Sequence, residues 1–189
     1  MRHFIANFAV YLIAGVLVLA AYVWAVVRAN QTVLANEEMV EPAEYLAATD
    51  LASFDWPEFG EAVYIRNCAA CHGGNGQGRE DYYPPLHNQD RVLAAEGGRE
   101  YLINMVLYGI RTGLHGAPMP PMANLSDAKI AAVNNFVVTR FSHADPAELD
   151  LLIPADVALL RDLRLSEREV GRTRPDVPPP FELARTTRE

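Results

Sequence analysis

The longest uninterrupted apolar stretch of the chain lies near its amino-terminal end. Residues 4–27 carry no charged side chain over 24 positions. As an α-helix this stretch would measure ~36 Å, which is enough to cross the ~30 Å hydrocarbon layer of a membrane. Tyr22 and Trp24 stand near its far end, where aromatic side chains commonly anchor a helix at the interface. The pattern predicts a transmembrane anchor over residues 1–28.

A cleaved signal peptide is the alternative interpretation of this stretch. Val33-Leu34-Ala35 could serve as its cleavage site. The apolar core of a signal peptide spans only ~7–15 residues, however, which is much shorter than the stretch found here. The length therefore favours an anchor that is retained.

Two helices are predicted in the middle of the chain. Pro57 suits the first turn of a helix, and this helix should run on towards Cys68. A second helix is predicted from Arg99 to Gly109, with an apolar stripe formed by Leu102, Ile103, Val106 and Leu107. We interpret these four side chains as ordinary core.

A third helix is predicted to begin at Ser126. Serine is a favoured N-cap residue, and Asp127 would place a negative charge in the positive first turn. The apolar positions that follow have helical spacing; they are Ile130, Val133, Phe136 or Val137, and Phe141. This helix should complete a globular domain over residues 57–142.

The segment before that domain is strongly acidic. Between Ala29 and Ile65 there are eight carboxylates and not one lysine or arginine. Such a composition is typical of a solvated linker, and we assign residues 29–56 to it. Because several aromatic residues would need covering, a short helix is expected after Pro42.

The chain continues beyond the domain, over residues 143–189. A helix is predicted from Pro154 to Leu163, and Ser166 with Glu169 forms the capping box of another. Pro175 and the run 178–180 favour extended polyproline structure. Six apolar residues in this region are too many to leave in water, and they predict a docking extension that contacts a partner; they are Leu151, Leu152, Ile153, Leu159, Leu160 and Leu163.

The composition narrows the kinds of chemistry to consider. A net charge of −8 argues against a nucleic acid as partner. The histidines show no arrangement for nucleophilic catalysis. The Gly-rich stretch 73–78 lacks the preceding strand and following lysine of a phosphate loop, so we interpret it as a tight turn.

The only two cysteines of the chain carry its clearest chemical signal. Cys68 and Cys71 are three residues apart and His72 follows directly, a spacing typical of covalent haem c attachment. The two thiols would bond the vinyl groups of one porphyrin, and the imidazole would ligate its iron. A redox Cys-x-x-Cys pair needs no following histidine, and a zinc site needs four ligands. We therefore predict one covalent haem c, with thioethers at Cys68 and Cys71 and His72 as proximal ligand.

A second iron ligand could come from the proline-flanked segment further along. Met119 and Met122 stand in the run Pro118-Met119-Pro120-Pro121-Met122, and prolines would hold such a loop stiffly extended. Either methionine could instead be a flexible apolar gap-filler. His87 and His115 are rival ligands in other loops.

From about Asp55 to Phe141 the chain resembles the class I monohaem cytochromes c, especially the membrane or periplasmic ones. Besides the Cys-Ala-Ala-Cys-His motif, the matching blocks are Tyr83-Pro84-Pro85-Leu86 and Met119-Pro120-Pro121-Met122 running into Leu125-Ser126-Asp127. The resemblance implies an all-α class I cytochrome c fold, here with an added N-terminal transmembrane helix and an irregular C-terminal extension.

The same resemblance implies roles for individual residues. Met119, directly before a proline, would be the second iron ligand, and Met122 would pack on the haem. The carbonyl of Pro84, rather than that of Pro85, would accept a hydrogen bond from His72 Nδ1. Gly60 and Phe136 would be the pair at which the first and last helices of the domain cross closely.

The resemblance also implies a function and a location. The protein would be an electron carrier rather than an enzyme, with Met/His-ligated haem iron. Because the family attaches haem outside the cytoplasm, a single-pass anchor in the inner membrane would place the haem domain in the periplasm. The expected partner is a redox complex, such as a dehydrogenase, an oxidase, a quinol-oxidising complex or a reaction centre.

Two alternatives to a fixed subunit of such a complex remain open. One is a membrane-tethered cytochrome c that shuttles freely between two complexes. The other is a haem peroxidase or gas sensor, which would need an open iron coordination position. The long tail and ordered-looking linker favour the fixed subunit.

Overall fold

The computed structural model of the chain describes residues 15–26, 54–80, 82–111 and 117–185. The chain divides into two compact units, Met1–Glu41 and Pro42–Glu189. The first unit is described only over residues 15–26, which form a helix, α1, with exposed side chains.

The predicted membrane anchor and linker fall largely outside the described residues. Among the residues that are described, no helix combines the length and apolar character needed to cross a bilayer. Most of the acidic linker, with the short helix expected after Pro42, also lies outside them. Both the anchor and the linker stay predictions.

The described part of the second unit is helical, as predicted. It contains no named strand, and its two isolated bridges join Arg79 to Tyr83 and Ile110 to Met119. A short 3₁₀ turn lies at Pro146–Glu148, and the α-helices are α2 (Pro57–Asn67), α3 (Ala69–His72), α4 (Gln89–Leu93), α5 (Gly98–Tyr108), α6 (Asp127–Arg140), α7 (Pro154–Leu160), α8 (Glu167–Arg172) and α9 (Pro180–Leu183).

The close crossing of α2 and α6 is confirmed. A Cβ added to Gly60 would lie 2.9 Å from Cβ of Phe136 and would collide with the backbone carbonyl of Ala132. Tyr64, one turn after Gly60, packs its ring 5.4 Å from that of Phe136 and 5.2 Å from that of Phe141. Glycine thus lets the two backbones meet, and an aromatic cluster fills the space beside them.

Helix α5 supplies much of the core. The four residues of its predicted stripe are buried, Ile103 and Leu107 completely. The helix begins at Gly98, one residue earlier than predicted, and Gly109 ends it with a φ of 73°. Glycine adopts this left-handed conformation without the steric penalty of other residues, so it is a favoured stop signal.

Helix α6 begins where its cap predicts. The Ser126 side chain accepts a hydrogen bond from the Lys129 backbone N–H at 3.3 Å. Ile130, Val133 and Phe136 are buried, as expected from their spacing. Asn135, a polar residue that the apolar pattern passes over, is also completely buried on this helix.

The tail after residue 142 packs against the rest of its own unit, through contacts of α7 with α5 and α6 and of α8 with α5. Leu151 and Leu152 are buried, and Asn135 exchanges two 2.8 Å hydrogen bonds with the backbone of Leu152. The expectation that all six apolar tail residues need a partner is therefore wrong. Leu159 and Leu163 do remain exposed, at 80% and 50%.

Two details of the tail also differ from the predicted elements. Helix α7 ends at Leu160 rather than Leu163, and Arg164 follows in the left-handed region with a φ of 53°. The predicted polyproline structure is interrupted at both ends. The Val177 N–H donates to the Pro175 carbonyl at 2.9 Å, a turn contact that polyproline structure lacks, and Pro180 opens the short helix α9. The capping box at Ser166 is confirmed, since Ser166 and Glu169 bond each other's backbone N–H groups.

Candidate haem-binding site

The end of α2 brings the two cysteines and His72 onto one helical surface. Cys68 sits at the junction of α2 and α3, where its N–H donates to the Tyr64 carbonyl at 2.8 Å. The His72 N–H in turn donates to the Cys68 carbonyl at 2.9 Å. Residues three and four apart in such a turn are neighbours, so Cys68 lies beside both Cys71 and His72 on the helix surface.

His72 is held in one orientation by a backbone carbonyl. The residue is 9% exposed, and its Nδ1 lies 2.9 Å from the carbonyl oxygen of Pro84. A carbonyl can only accept, so Nδ1 carries the proton and the lone pair is on Nε2. Burial lowers the pKa of His72, against the smaller opposing effect of the Pro84 hydrogen bond. The side chain is therefore suited to present a neutral imidazole nitrogen to a metal.

The glycine-rich turn lets the Pro84 segment come this close. Gly78 has a φ of 67°, and a Cβ there would lie 2.7 Å from both the carbonyl carbon of Pro84 and the nitrogen of Pro85. The Gly78 N–H donates to the His72 carbonyl at 2.8 Å, which fixes the turn against α3. The stretch 73–78 is thus a tight turn that seats the proximal histidine.

The pKa of Cys68 is unlike that of a redox-active cysteine. Both are free thiols, Cys71 exposed and Cys68 half-buried. Burial, and secondarily the charge of Cys71, raise the pKa of Cys68 to about 12. Redox-active cysteines have depressed pKa values that populate the thiolate near neutral pH. Cys68 has the opposite character, which argues against a thiolate-based redox role.

The methionines lie along the C-terminal end of α5. Met119 and Ile110 exchange two backbone hydrogen bonds of 3.0 Å, and Met122 N–H donates to the Val106 carbonyl at 2.9 Å. Gly109 makes room for this approach, since a Cβ there would lie 2.9 Å from the nitrogen of Pro121. Both methionines are half-buried. Met119 as the second iron ligand stays a prediction.

The rival histidines have different surroundings. His87 is half-buried, with its ring centroid 6.1 Å from that of Phe141. His115 lies outside the described residues.

Sequence reasoning missed two contacts around this site. The Tyr64 hydroxyl donates to the Gly73 carbonyl at 2.5 Å and so ties α2 to the turn after His72. Arg161, far along the chain, bonds the segment that follows Met122. The spacing of Tyr64 from the motif could have suggested the first contact, whereas no local signal marks the second.

The residues present fit a covalently attached haem. Two free thiols stand at the attachment spacing, a neutral imidazole has its Nε2 lone pair available, and thioether side chains lie in a segment held by backbone hydrogen bonds. Nitrogen and thioether sulfur are the axial donors of this haem type.

Comparison with known proteins decides the family. Residues 57–137 match the family described as cytochrome C oxidase, cbb3-type, subunit III. Cytochrome c-552 of Thermus thermophilus is 35% identical over 119 residues, which cover 59% of this chain and 90% of that relative. The chain belongs to the monohaem class I cytochromes c. This cytochrome c therefore carries haem c bound covalently through its Cys-x-x-Cys-His motif, and its role is electron transfer.

Other relatives are named as parts of larger enzymes. The fructose dehydrogenase cytochrome subunit of Gluconobacter japonicus is 28% identical over 131 residues, covering 62% of this chain and 26% of that subunit. The alcohol dehydrogenase (quinone) cytochrome c subunit of Gluconobacter oxydans is 37% identical over 84 residues, covering 41% of this chain and 17% of that subunit. The chain thus spans about a quarter or less of these subunits.

Proposed function

We propose that this cytochrome c passes single electrons to or from a redox complex, using a haem c ligated by His72 and Met119. The observation that carries the proposal is the hydrogen bond between His72 Nδ1 and the Pro84 carbonyl. This bond leaves the Nε2 lone pair available to the iron and fixes the plane of the ring. A histidine held in this way is suited to be an iron ligand that stays bound in both oxidation states.

The haem supplies the one-electron couple, and the residues of the chain supply a rigid setting for it. His72 is held by Pro84, and Met119 is held by its two hydrogen bonds with Ile110. Ligands fixed by backbone contacts move little between the two oxidation states. Ligation by methionine as well as histidine suits a high reduction potential.

The location belongs to the same proposal. Residues 1–28 would form a single-pass anchor in the inner membrane, and the haem domain would lie in the periplasm. The length and apolar character of residues 4–27 support this placement. The names of the dehydrogenase subunits support a redox complex as partner.

The membrane-tethered shuttle is the second candidate, and one observation favours it. Leu151 and Leu152 are covered by the protein's own helices, so they are not available to bind a complex permanently. Only Leu159 and Leu163, among the six apolar residues of the tail, remain widely exposed. In the fixed-subunit interpretation, this exposed pair is the part of the tail that would contact the complex.

The ligation can be tested with two matched variants. Met–iron bonding in the oxidised protein gives a weak long-wavelength sulfur-to-iron absorption band. We expect Met119→Ala to abolish the band, while Met122→Ala should retain it. Loss of the band only in Met122→Ala would reverse the assignment. Tight binding of carbon monoxide by the reduced wild type would contradict a closed six-coordinate iron and support a sensor or peroxidase instead.

A further inference from the structure

Two parts of the tail contact the chain on either side of the methionines. We use the term methionine segment for residues 119–125, and the term brace for residues 160–167 of the tail. Arg161 bonds the far end of the methionine segment, and Glu167 bonds Arg111, next to the residue that pairs with Met119. The brace therefore meets both of the backbone stretches that position the methionines.

Arg161 makes the most extensive of these contacts. Its guanidinium donates to the carbonyl oxygens of Ala123 at 2.9 Å and Leu125 at 2.8 Å. Its Nε donates to the Asp127 carboxylate at 2.6 Å. The planar fork of arginine presents donors on three nitrogens in a fixed geometry, whereas the three donors of lysine sit on one nitrogen. The loop after Met122 is thus fixed to the start of α6 by one side chain.

The backbone around Arg161 is itself anchored to α5. The Tyr108 hydroxyl lies 2.7 Å from the Leu160 carbonyl and 2.6 Å from the Arg161 carbonyl. The same oxygen accepts from the Arg164 N–H at 3.2 Å. Tyr108 is the last residue of α5, one residue before Gly109, against which Met119 packs. Arg161 is therefore supported by the helix end on which the methionine segment rests.

Glu167 holds the other side of the methionine segment. Arg111 donates through its backbone N–H to the Glu167 carbonyl at 3.2 Å and through Nε to the Glu167 carboxylate at 3.0 Å. Arg111 directly follows Ile110, whose backbone pairs with that of Met119 at 3.0 Å in both directions. A shift of the brace would consequently be felt at both methionines.

We propose that the brace keeps the methionine sulfur on the iron, and that Arg161 is the positioning residue through which it acts. The inference rests on the methionine ligation proposed above. It gives the tail a function in the electron-transfer site itself, because the strength of the thioether bond affects both the reduction potential and the access of foreign ligands. Nothing in it requires a partner protein.

The test is a comparison of arginine variants in the full-length protein. Arg161→Gln removes the fork, and Arg99→Gln is the matched control. Arg99 also joins the domain to the tail, through the carbonyls of Asp150 and Leu151 and the carboxylate of Asp156. It does so from the first turn of α5, which is ~14 Å along the helix from Tyr108.

The main measurement is a titration of the oxidised protein with imidazole, which competes with methionine for the iron. We expect Arg161→Gln to bind imidazole about tenfold more tightly than wild type, a change equivalent to about 1.4 kcal/mol, because the loop after Met122 loses the charged side chain that holds it. Its reduction potential should fall. Arg99→Gln should change neither quantity, and Arg161→Lys should lie between Arg161→Gln and wild type.

Denaturant unfolding of the same proteins separates positioning from general stability. If both glutamine variants lose stability alike and imidazole affinity is unchanged or rises equally in both, the brace is only structural and the inference is overturned. If Arg161→Gln cannot be purified, an unchanged imidazole affinity in Arg161→Lys overturns it as well. A wild type without the sulfur-to-iron band overturns the proposed ligation together with this inference, and that result is recognisable before any variant is made.

Discussion

At the scale of single residues, the orientation of His72 depends on the absence of a side chain at Gly78. A side chain at residue 78 would occupy the space that the Pro84 backbone fills. The positive φ at this residue adds a conformational penalty for any residue with a Cβ. The contact of His72 with the Pro84 carbonyl is therefore possible only because residue 78, six positions after the histidine, is a glycine.

Gly78→Ala should disturb this contact without touching any ligand. The left-handed backbone alone costs roughly 1–2 kcal/mol for a non-glycine residue, and the Pro84 segment must also retreat. We expect a lower unfolding midpoint and a shifted reduction potential, measured by denaturant titration and redox titration of the holoprotein. Gly74→Ala is the control, because a Cβ there meets nothing within 4 Å. Equal behaviour of the two variants would refute the role assigned to Gly78.

The haem-attachment residues could be predicted from the sequence because their chemistry depends on their spacing along the chain. The interval between Cys68, Cys71 and His72 indicates haem attachment whatever the surrounding fold. The contact between His72 and Pro84 was expected only through the family resemblance, and the structure contains it. Arg161 could not be found in this way, since its acceptors are more than 30 residues away and two of the three are backbone carbonyls that any residue type supplies.

At the scale of elements, the domain depends on the crossing of α2 and α6. Gly60 lies directly against the Ala132 backbone and the Phe136 side chain. Backbone atoms cannot rotate out of the way, so a larger residue forces the helices apart. The aromatic contacts of Tyr64 with Phe136 and Phe141 would loosen at the same time.

We therefore expect Gly60→Ala to destabilise the protein by ~1–3 kcal/mol, despite the better helix propensity of alanine. Denaturant unfolding monitored by far-UV circular dichroism measures the change. Glu61→Ala, an exposed substitution on the same helix, is the control. A stability gain in Gly60→Ala would show that the crossing can relax and that propensity dominates.

Element boundaries were predicted well where a cap decides them. Pro57, Ser126, Ser166 and Gly109 mark helix ends through local chemistry, and the structure places those ends within a residue of the expected positions. The tail was different. A leucine pattern indicates that a helix face is buried, but it does not identify the surface that buries it. Here the protein's own α5 and α6 lie against the tail.

At the scale of the whole molecule, the distinction between fixed subunit and shuttle depends on surface that remains open. Helix α7 and the turn after it expose Leu159 and Leu163, whereas the other apolar tail residues are partly or fully covered. A standard specific interface buries ~800 Å² on each partner, more than two leucines provide. A permanent complex would therefore need other contacts around this pair.

A fractionation experiment addresses both the anchor and the partner. We expect the protein to sediment with membranes, and to co-purify with a redox complex in mild detergent at high salt if it is a fixed subunit. Leu159→Glu should then release it while leaving its haem spectrum unchanged, and Asp162→Glu is the matched surface control. Release of the wild type by moderate salt would instead favour the shuttle, whose contacts are screened within ~8 Å at physiological ionic strength. Recovery in the aqueous fraction would contradict the anchor.

The hydrogen bond from Asn88 to the carbonyl of Leu183 has a consequence for how the protein folds. It joins residues 95 apart, whereas the contacts that orient His72 span at most 12. Closing a flexible loop of that length costs ~4 kcal/mol from the length-dependent part of the chain entropy alone. Contacts of short range are correspondingly cheaper to form first. The haem-attachment turn can thus be assembled before the chain near Leu183 is held against Asn88.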